Sequence, residues 1–270
     1  MRRRAEFAIR GWYPLDEEKL RAMLKEWMKE KGEERVLGVV SPHAGYVYSG
    51  HVAGAVFSRI AIPKNVLVLN PNHHPNHHGW VEDFALAPSG VWETPLGDVE
   101  INERLNRLLL QMTAAEEDER AHYLEHSGEL QLPFLKFRRD DVSVSLVCIA
   151  CTNLEKLLEF GRSVAEVVRR LGEDVLIVAS NDMTHDEPAE VAKRKDYAAI
   201  ERMEALDARG LWRVVEEQKI SMCGVGPVTV MMEAARNLGA KQARLVKYAT
   251  SGDVTGNFSQ VVGYASLLVR

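Results

Sequence analysis

Short, wholly apolar runs alternate along this chain with longer stretches whose apolar residues recur every three or four positions. Val36-Leu37-Gly38-Val39-Val40, Val66-Leu67-Val68-Leu69, the segment 142–149 and the segment 174–180 are of the first kind. Their length and β-branched content predict strands buried on both faces. Ala243 to Thr250 and Gln260 to Val269 read as two closing strands, and Val81 to Ala87 as a further one. Helical spacing marks Asp16 to about Lys31, where Leu20, Met23, Leu24, Trp27 and Met28 form one stripe, Asp16 serves as N-cap and Gly32 as stop. Ser49 to Ile60 reads as a helix in which Gly50 and Gly54 allow close packing. Ile101 to Met112 and Leu154 to Leu171 carry further stripes. Glu125 to Phe137 looks helical but broken at Pro133. Val191 to Gly239 reads as helix with breaks at Gly210 and near Gly224, Pro227 suiting a first turn. Strands separated by helices predict an α/β protein, a single domain over 1–270 with a central, mostly parallel or mixed sheet flanked by helices.

Bulk properties narrow the functions. The 270 residues suffice to bury about three quarters of the unfolded surface. A hydrophobic content of 46% with 27% charged residues describes an ordinary globular protein. A net charge of -5 argues against a nucleic-acid partner, which needs a basic face. No apolar stretch approaches membrane-spanning length, and no secretory signal is visible, so a cytoplasmic location is expected. The three cysteines do not make a disulfide framework. Cys148 and Cys151 lie in an apolar strand and read as buried small residues rather than a metal or redox pair. Cys223, just before a predicted helix, could be packed or carry a lowered thiol pKa.

Chemistry-bearing residues gather where strands end. Val36 to Val40 runs into Ser41-Pro42-His43, Val66 to Leu69 into Asn70-Pro71-Asn72-His73-His74, and Leu176 to Ala179 into Ser180-Asn181-Asp182-Met183-Thr184-His185. Ligands bind at such strand ends in α/β sheets. Imidazole nitrogen suits transition metals, so the three segments predict one metal centre. Neighbours in extended chain point apart, so one of His73 and His74 faces the site; His77 and His78 read as exposed loop. Asp182 could orient His185 or cap a following helix. Glu125, His126 and Glu129 form a further acid–imidazole cluster, and Ser251 to Phe258 is a candidate functional loop.

These motifs resemble the Memo family, which includes the AmmeMemoRadiSam system protein B. The resemblance runs through Gly11-Trp12-Tyr13-Pro14, Pro42-His43-Ala44-Gly45-Tyr46-x-Tyr48-Ser49-Gly50, Asn70-Pro71-Asn72-His73-His74 and Trp92-x-Thr94-Pro95-Leu96-Gly97. It continues through Glu125-His126-Ser127-x-Glu129-x-Gln131-Leu132-Pro133-Phe134, Ser180-Asn181-Asp182-x-x-His185, Cys223-Gly224 and Tyr248-Ala249-Thr250-Ser251-Gly252-Asp253. It implies a fold similar to the LigB-like class III extradiol dioxygenases, with iron(II) as the expected metal and copper or zinc as alternatives. By position, His43 and His73 match the metal-ligand histidines and His185, beside Asp182, the acid/base histidine. Animal members place a cysteine in the loop after the Tyr-Ala motif; counting from Tyr248 puts Val254 there, and the adjacent Asp253 would supply a carboxylate ligand instead. Tyr46, Tyr48, His74, Glu125, His126, Glu129 and Cys223 would line the pocket. The implied activity is a metal-dependent oxidoreductase acting on an unknown small molecule. A phosphopeptide- or protein-binding module and a metal-dependent hydrolase or lyase are the alternatives. An AMMECR-domain protein and a radical SAM protein are the partners the resemblance implies.

Overall fold

A computed structural model describes residues 1–30, 32–74 and 82–270. The expected exposed loop at His77 and His78, and the start of the strand expected at Val81, lie outside the described residues. Among the described residues, eleven strands form one sheet: β1 (Arg2–Arg3), β2 (Gly38–Ser41), β3 (Asn65–Pro71), β4 (Phe84–Leu86), β5 (Val91–Trp92), β6 (Val99–Ile101), β7 (Glu116–Glu117), β8 (Ser143–Ile149), β9 (Val175–Ser180), β10 (Ala243–Thr250) and β11 (Gly263–Val269). Their order is β1-β5-β6-β8-β3-β9-β2-β11-β10, with β4 on the outer half of β8 and β7 beyond it.

The middle four strands, β8, β3, β9 and β2, are parallel, and β11 and β10 close that side antiparallel. The sheet is therefore mixed. Both of its faces are covered. Val66 and Val68 of β3 enter one core and Leu67 and Leu69 the other, as side chains alternating across a strand must. On the first face lie the helices Glu17–Trp27, Tyr46–Phe57 and Leu132–Arg138, and on the second Glu103–Met112, Leu154–Leu171 and Val225–Asn237. A Cβ on Gly50 would stand 2.3 Å from the Trp27 ring and one on Gly54 2.6 Å from Trp27 Cβ, so both glycines do permit close helix packing.

Several boundaries differ from the sequence expectation for identifiable reasons. Asp16 caps the first long helix, accepting from Lys19 N at 2.9 Å, but that helix ends at Trp27, well before Gly32. Pro133 does not break a helix. A short 3-10 turn, Glu129–Gln131, precedes it, and Pro133 occupies the first turn of Leu132–Arg138, where its missing N–H costs nothing. The expected break at Gly210 falls instead at Leu206, whose φ is 52°, so Ala189–Glu204 and Ala208–Gln218 are separate helices. Among the described residues, no helix is long and apolar enough to cross a membrane.

Candidate metal centre

Because β3, β9 and β2 are adjacent and parallel, their C-terminal ends meet along one edge. His73 follows β3, Asp182 follows β9 and His43 follows β2. A fourth segment, Leu124 to Gly128, crosses this edge and brings Glu125 and His126. The ligand atoms of His43, His73 and His126 all lie within 4.8 Å of one another, the one group of three among the described residues that could hold a metal ion. Ring centroids are 5.2 Å apart for His43–His73 and 4.6 Å for the stacked pair His73–His126.

The tautomers follow from counting protons. Ser180 Oγ donates its only hydrogen to the Ser127 carbonyl at 2.7 Å and accepts from Gln131 Nε2 at 2.9 Å. It can therefore only accept from His43 Nδ1, 2.8 Å away, so the His43 proton sits on Nδ1 and the lone pair on Nε2. His73 is fixed the same way. Its Nδ1 lies 2.9 Å from Glu125 Oε1 and its backbone N–H donates to Oε2 at 2.7 Å. Glu125 Oε1 is also 3.6 Å from His126 Nδ1. A histidine whose Nδ1 is held by a partner presents Nε2 to a metal.

The electrostatics divide the cluster. Burial would raise the Glu125 pKa, but the hydrogen bond and charge of His73, with His126, carry it far below the ordinary carboxylate range. Glu125 is an anion under the histidines. Burial and the neighbouring His73 push His43 well below the usual imidazole value, and burial with His43 brings His126 to about 3. Burial also acts downward on His73, yet Glu125 outweighs it and the net shift is upward. Two neutral rings and one anion-supported ring thus surround the common point.

Cys223 Sγ stands 3.1 Å from His43 Nε2, and its burial raises the thiol pKa, so it is an S–H donor to that nitrogen. The cysteine at this edge therefore comes from the segment before Val225–Asn237, not from the loop after β10. That loop is placed differently. Asp253 is exposed, and its Oδ2 accepts from Thr250 N at 2.6 Å and Thr250 Oγ1 at 3.0 Å within the short helix Gly252–Thr255; Val254 is also exposed. The grouped ligand atoms include His126 where the sequence expectation had Asp253.

Asp182 and His185 are not a pair of base and orienter here. Asp182 is buried, and its Oδ1 accepts the His43 backbone N–H at 2.8 Å, so it ties two strand ends together. No helix begins until Ala189, so it is not a helix cap. His185 is held by Ser221 instead: its N–H donates to Ser221 Oγ at 2.8 Å, and Nδ1 lies 3.1 Å from the Ser221 carbonyl. A carbonyl only accepts, so Nδ1 is the donor in that contact.

The remaining residues separate. Tyr46 is buried, donates to the Leu130 carbonyl at 2.7 Å and stacks on Tyr13, so it is structural. Tyr48 is 39% exposed at the rim of a groove it shares with Trp12 and Val47. His74 is exposed, its backbone N–H donates to Asn72 Oδ1 at 2.9 Å, and its ring is not one of the three grouped imidazoles. Glu129 is buried elsewhere, against Phe7 N and Tyr13 Oη. Cys148 and Cys151 are both buried and free. Ser180, Ser127, Gln131 and Ser221 were not legible as site residues; their serine and glutamine side chains carry no metal-like signal and act only through contacts across the fold.

The model of the Memo-like protein family matches residues 3–268. A MEMO1 family protein of Methanopyrus kandleri is 39% identical, covering 97% of this chain and 98% of that relative. MEMO1 family proteins of Aquifex aeolicus and Methanococcoides burtonii are 39% and 40% identical, each over at least 96% of this chain. Among solved structures, an uncharacterized protein from Escherichia coli K12 has a TM-score of 0.52 at 12% identity, covering 86% of this chain and 99% of the other, which is a likeness of fold.

Proposed function

The chain belongs to the Memo-like protein family, and on that premise we propose that it is a metal-dependent oxidoreductase whose centre is built on His43, His73 and His126. The observation that carries this is the locked tautomers: Ser180 and Glu125 occupy Nδ1 of His43 and His73, so Nε2 is the nitrogen each would offer a metal, that of His43 in exchange for its contact with the Cys223 thiol. The donor set fits a divalent transition metal. Metal–nitrogen bonds near 2.1 Å require ligand nitrogens roughly 3.4 Å apart, a modest contraction from the present spacing by ring rotation. The Cys223 thiol is the further ligand within reach, on loss of its proton.

A bound iron(II), the choice for imidazole with open positions, or copper would polarise a substrate oxygen and exchange electrons, whereas zinc, the further alternative, would supply the polarisation alone. The chain's own groups do the rest. Glu125 balances the added positive charge and fixes the His73 ring. Asp182 holds His43 at the end of β2 through its backbone. His185, whose Nδ1 is held by the Ser221 carbonyl, would accept a proton from a substrate hydroxyl through Nε2. Trp12 covers His126 at 4.4 Å and limits water on that side. An oxygen electrode tests the reading on iron(II)-loaded protein with a panel of catechols. Metal-dependent oxygen uptake, lost in His185→Gln while the metal is retained, is expected; cleavage that needs water and zinc but no oxygen would contradict it.

A further inference from the structure

Beside Phe7 lies a cleft of about 310 Å³ whose walls carry Arg3, Arg4 and Arg10 together with Trp92 and His122. Ligand-sized clefts begin near this volume. The positive charge in it is only partly spent. Arg10 Nε is paired with Glu6 at 3.0 Å and lies over the Phe7 ring. Arg3 is different. Its side chain is 14% exposed, its guanidinium lies 4.7 Å over the Trp92 ring, and its buried Nη2 meets no hydrogen-bond acceptor among the described residues. The nearest carboxylate to it, Glu119, stands at 3.8 Å, beyond hydrogen-bond range. Arg4 is exposed beside it, and no ion pair engages it among the described residues.

A guanidinium remains charged wherever it is placed, and a buried one without an acceptor bears a desolvation cost that an oxyanion would offset. Of the other acids on the walls, Glu6 is already paired with Arg10, and Glu119 is the one beside Arg3. Glu129, at the base of the cleft, spends its oxygens on Phe7 N, Tyr13 Oη and Trp92 Nε1, all neutral donors, and burial raises its pKa to about 7. His122 turns Nε2 to the Ala85 carbonyl and adds no negative charge. We propose that this cleft binds the oxyanion of a small molecule, a phosphate or carboxylate, on the Arg3 and Arg4 guanidinium groups between Phe7 and Trp92. Planar guanidinium recognises both anions bidentately, and the aromatic walls suit an apolar remainder. Phe7 also packs on His126 at 5.5 Å between ring centroids, so the cleft and the histidine centre share a wall.

Calorimetric titration of the full chain with inorganic phosphate, and separately with succinate, against chloride at equal ionic strength, tests this. Saturable binding of at least one anion is expected, weakened about tenfold in Arg4→Gln and about a hundredfold in Arg3→Gln, from the strength of charge-assisted hydrogen bonds. Which anion binds decides between the phosphate and carboxylate sources. His43→Ala should leave that affinity unchanged, which separates this cleft from the histidine centre and from the oxidoreductase reading. Circular dichroism checks the fold of Arg3→Gln; the exposed Arg4→Gln decides the matter if that variant unfolds. Binding of neither anion, wild-type affinity in the arginine variants, or loss in His43→Ala would overturn the proposal.

Discussion

Two buried glutamates four positions apart in the sequence show how differently this molecule treats the same side chain. Glu125 and Glu129 are 2% and 1% exposed, so burial alone would push both toward the neutral acid. Only Glu129 goes that way, to about 7, because its partners are a backbone N–H, a phenol and an indole, which favour the anion too weakly. Glu125 stays an anion because imidazole rings face it and the N–H groups of His73 and Ser127 point at it. Partners, not depth, set the charge. The region around Glu125 is thereby prepared for a cation, while that around Glu129 is a structural acid beneath the N-terminal segment.

Replacing each carboxylate separates the two roles. Glu125→Gln puts an amide where Oε1 accepts from Ser127 N and faces His73 Nδ1. It should destabilise the metal-free protein by about 3–5 kcal/mol, as breaking a buried ionic network does. In the folded variant, metal affinity should fall about 10–100-fold, as measured by competition with a chromophoric chelator. Glu129→Gln should leave metal affinity unchanged; a matching loss there would break the distinction.

The pH dependence sharpens it. With a folded pKa near 7 and an unfolded value of 4.5, Glu129 binds more protons in the folded state between those values. Stability from this group is therefore full below pH 4.5 and is lost as pH rises toward and past 7. The difference in unfolding free energy between wild type and Glu129→Gln should change by about 3 kcal/mol across that window in denaturant titrations of chelator-treated protein. His122 runs the other way. Its folded pKa near 4, below 6.5, means the unfolded chain binds the extra proton, so stability falls as pH drops from 6.5 to 4. A flat difference curve for Glu129→Gln would remove the assignment of a raised pKa. The smallest effect is expected from Tyr13→Phe, which deletes one 2.9 Å hydrogen bond to Glu129 Oε1. It should cost about 1 kcal/mol and move the Glu129 transition to higher pH, since the lost donor favoured the anion.

What could be read from the chain is what local patterning encodes. The four apolar runs became β2, β3, β8 and β9, and their parallel pairing placed His43, His73 and Asp182 on one edge. Leu154–Leu171 kept its bounds because its stripe is long and its ends are marked by Asn153 and Gly172. Strands of two or three residues, such as β1, β5 and β7, are too short to show a period and depend on neighbours for their hydrogen bonds. The site was legible as a set of strand ends but not as a set of contacts. His126 reaches the histidines through a loop crossing, Cys223 approaches His43 from 180 residues away, and the proton count at Ser180 exists only once Ser127 and Gln131 have met it. Asp253, beside a histidine-bearing sheet in sequence logic, is bound to its own turn in space.

The central claim is that His43, His73 and His126 form one metal centre. Equilibrium dialysis of metal-stripped protein against iron(II) under anaerobic conditions, with His43→Ala, His126→Ala and Asp253→Ala alongside, tests it most directly. One tightly bound equivalent in wild type and Asp253→Ala, with none in His43→Ala and a weakened site in His126→Ala, is the expected result. Full retention of that equivalent in His43→Ala, or its loss in Asp253→Ala with His126→Ala unaffected, would contradict the account.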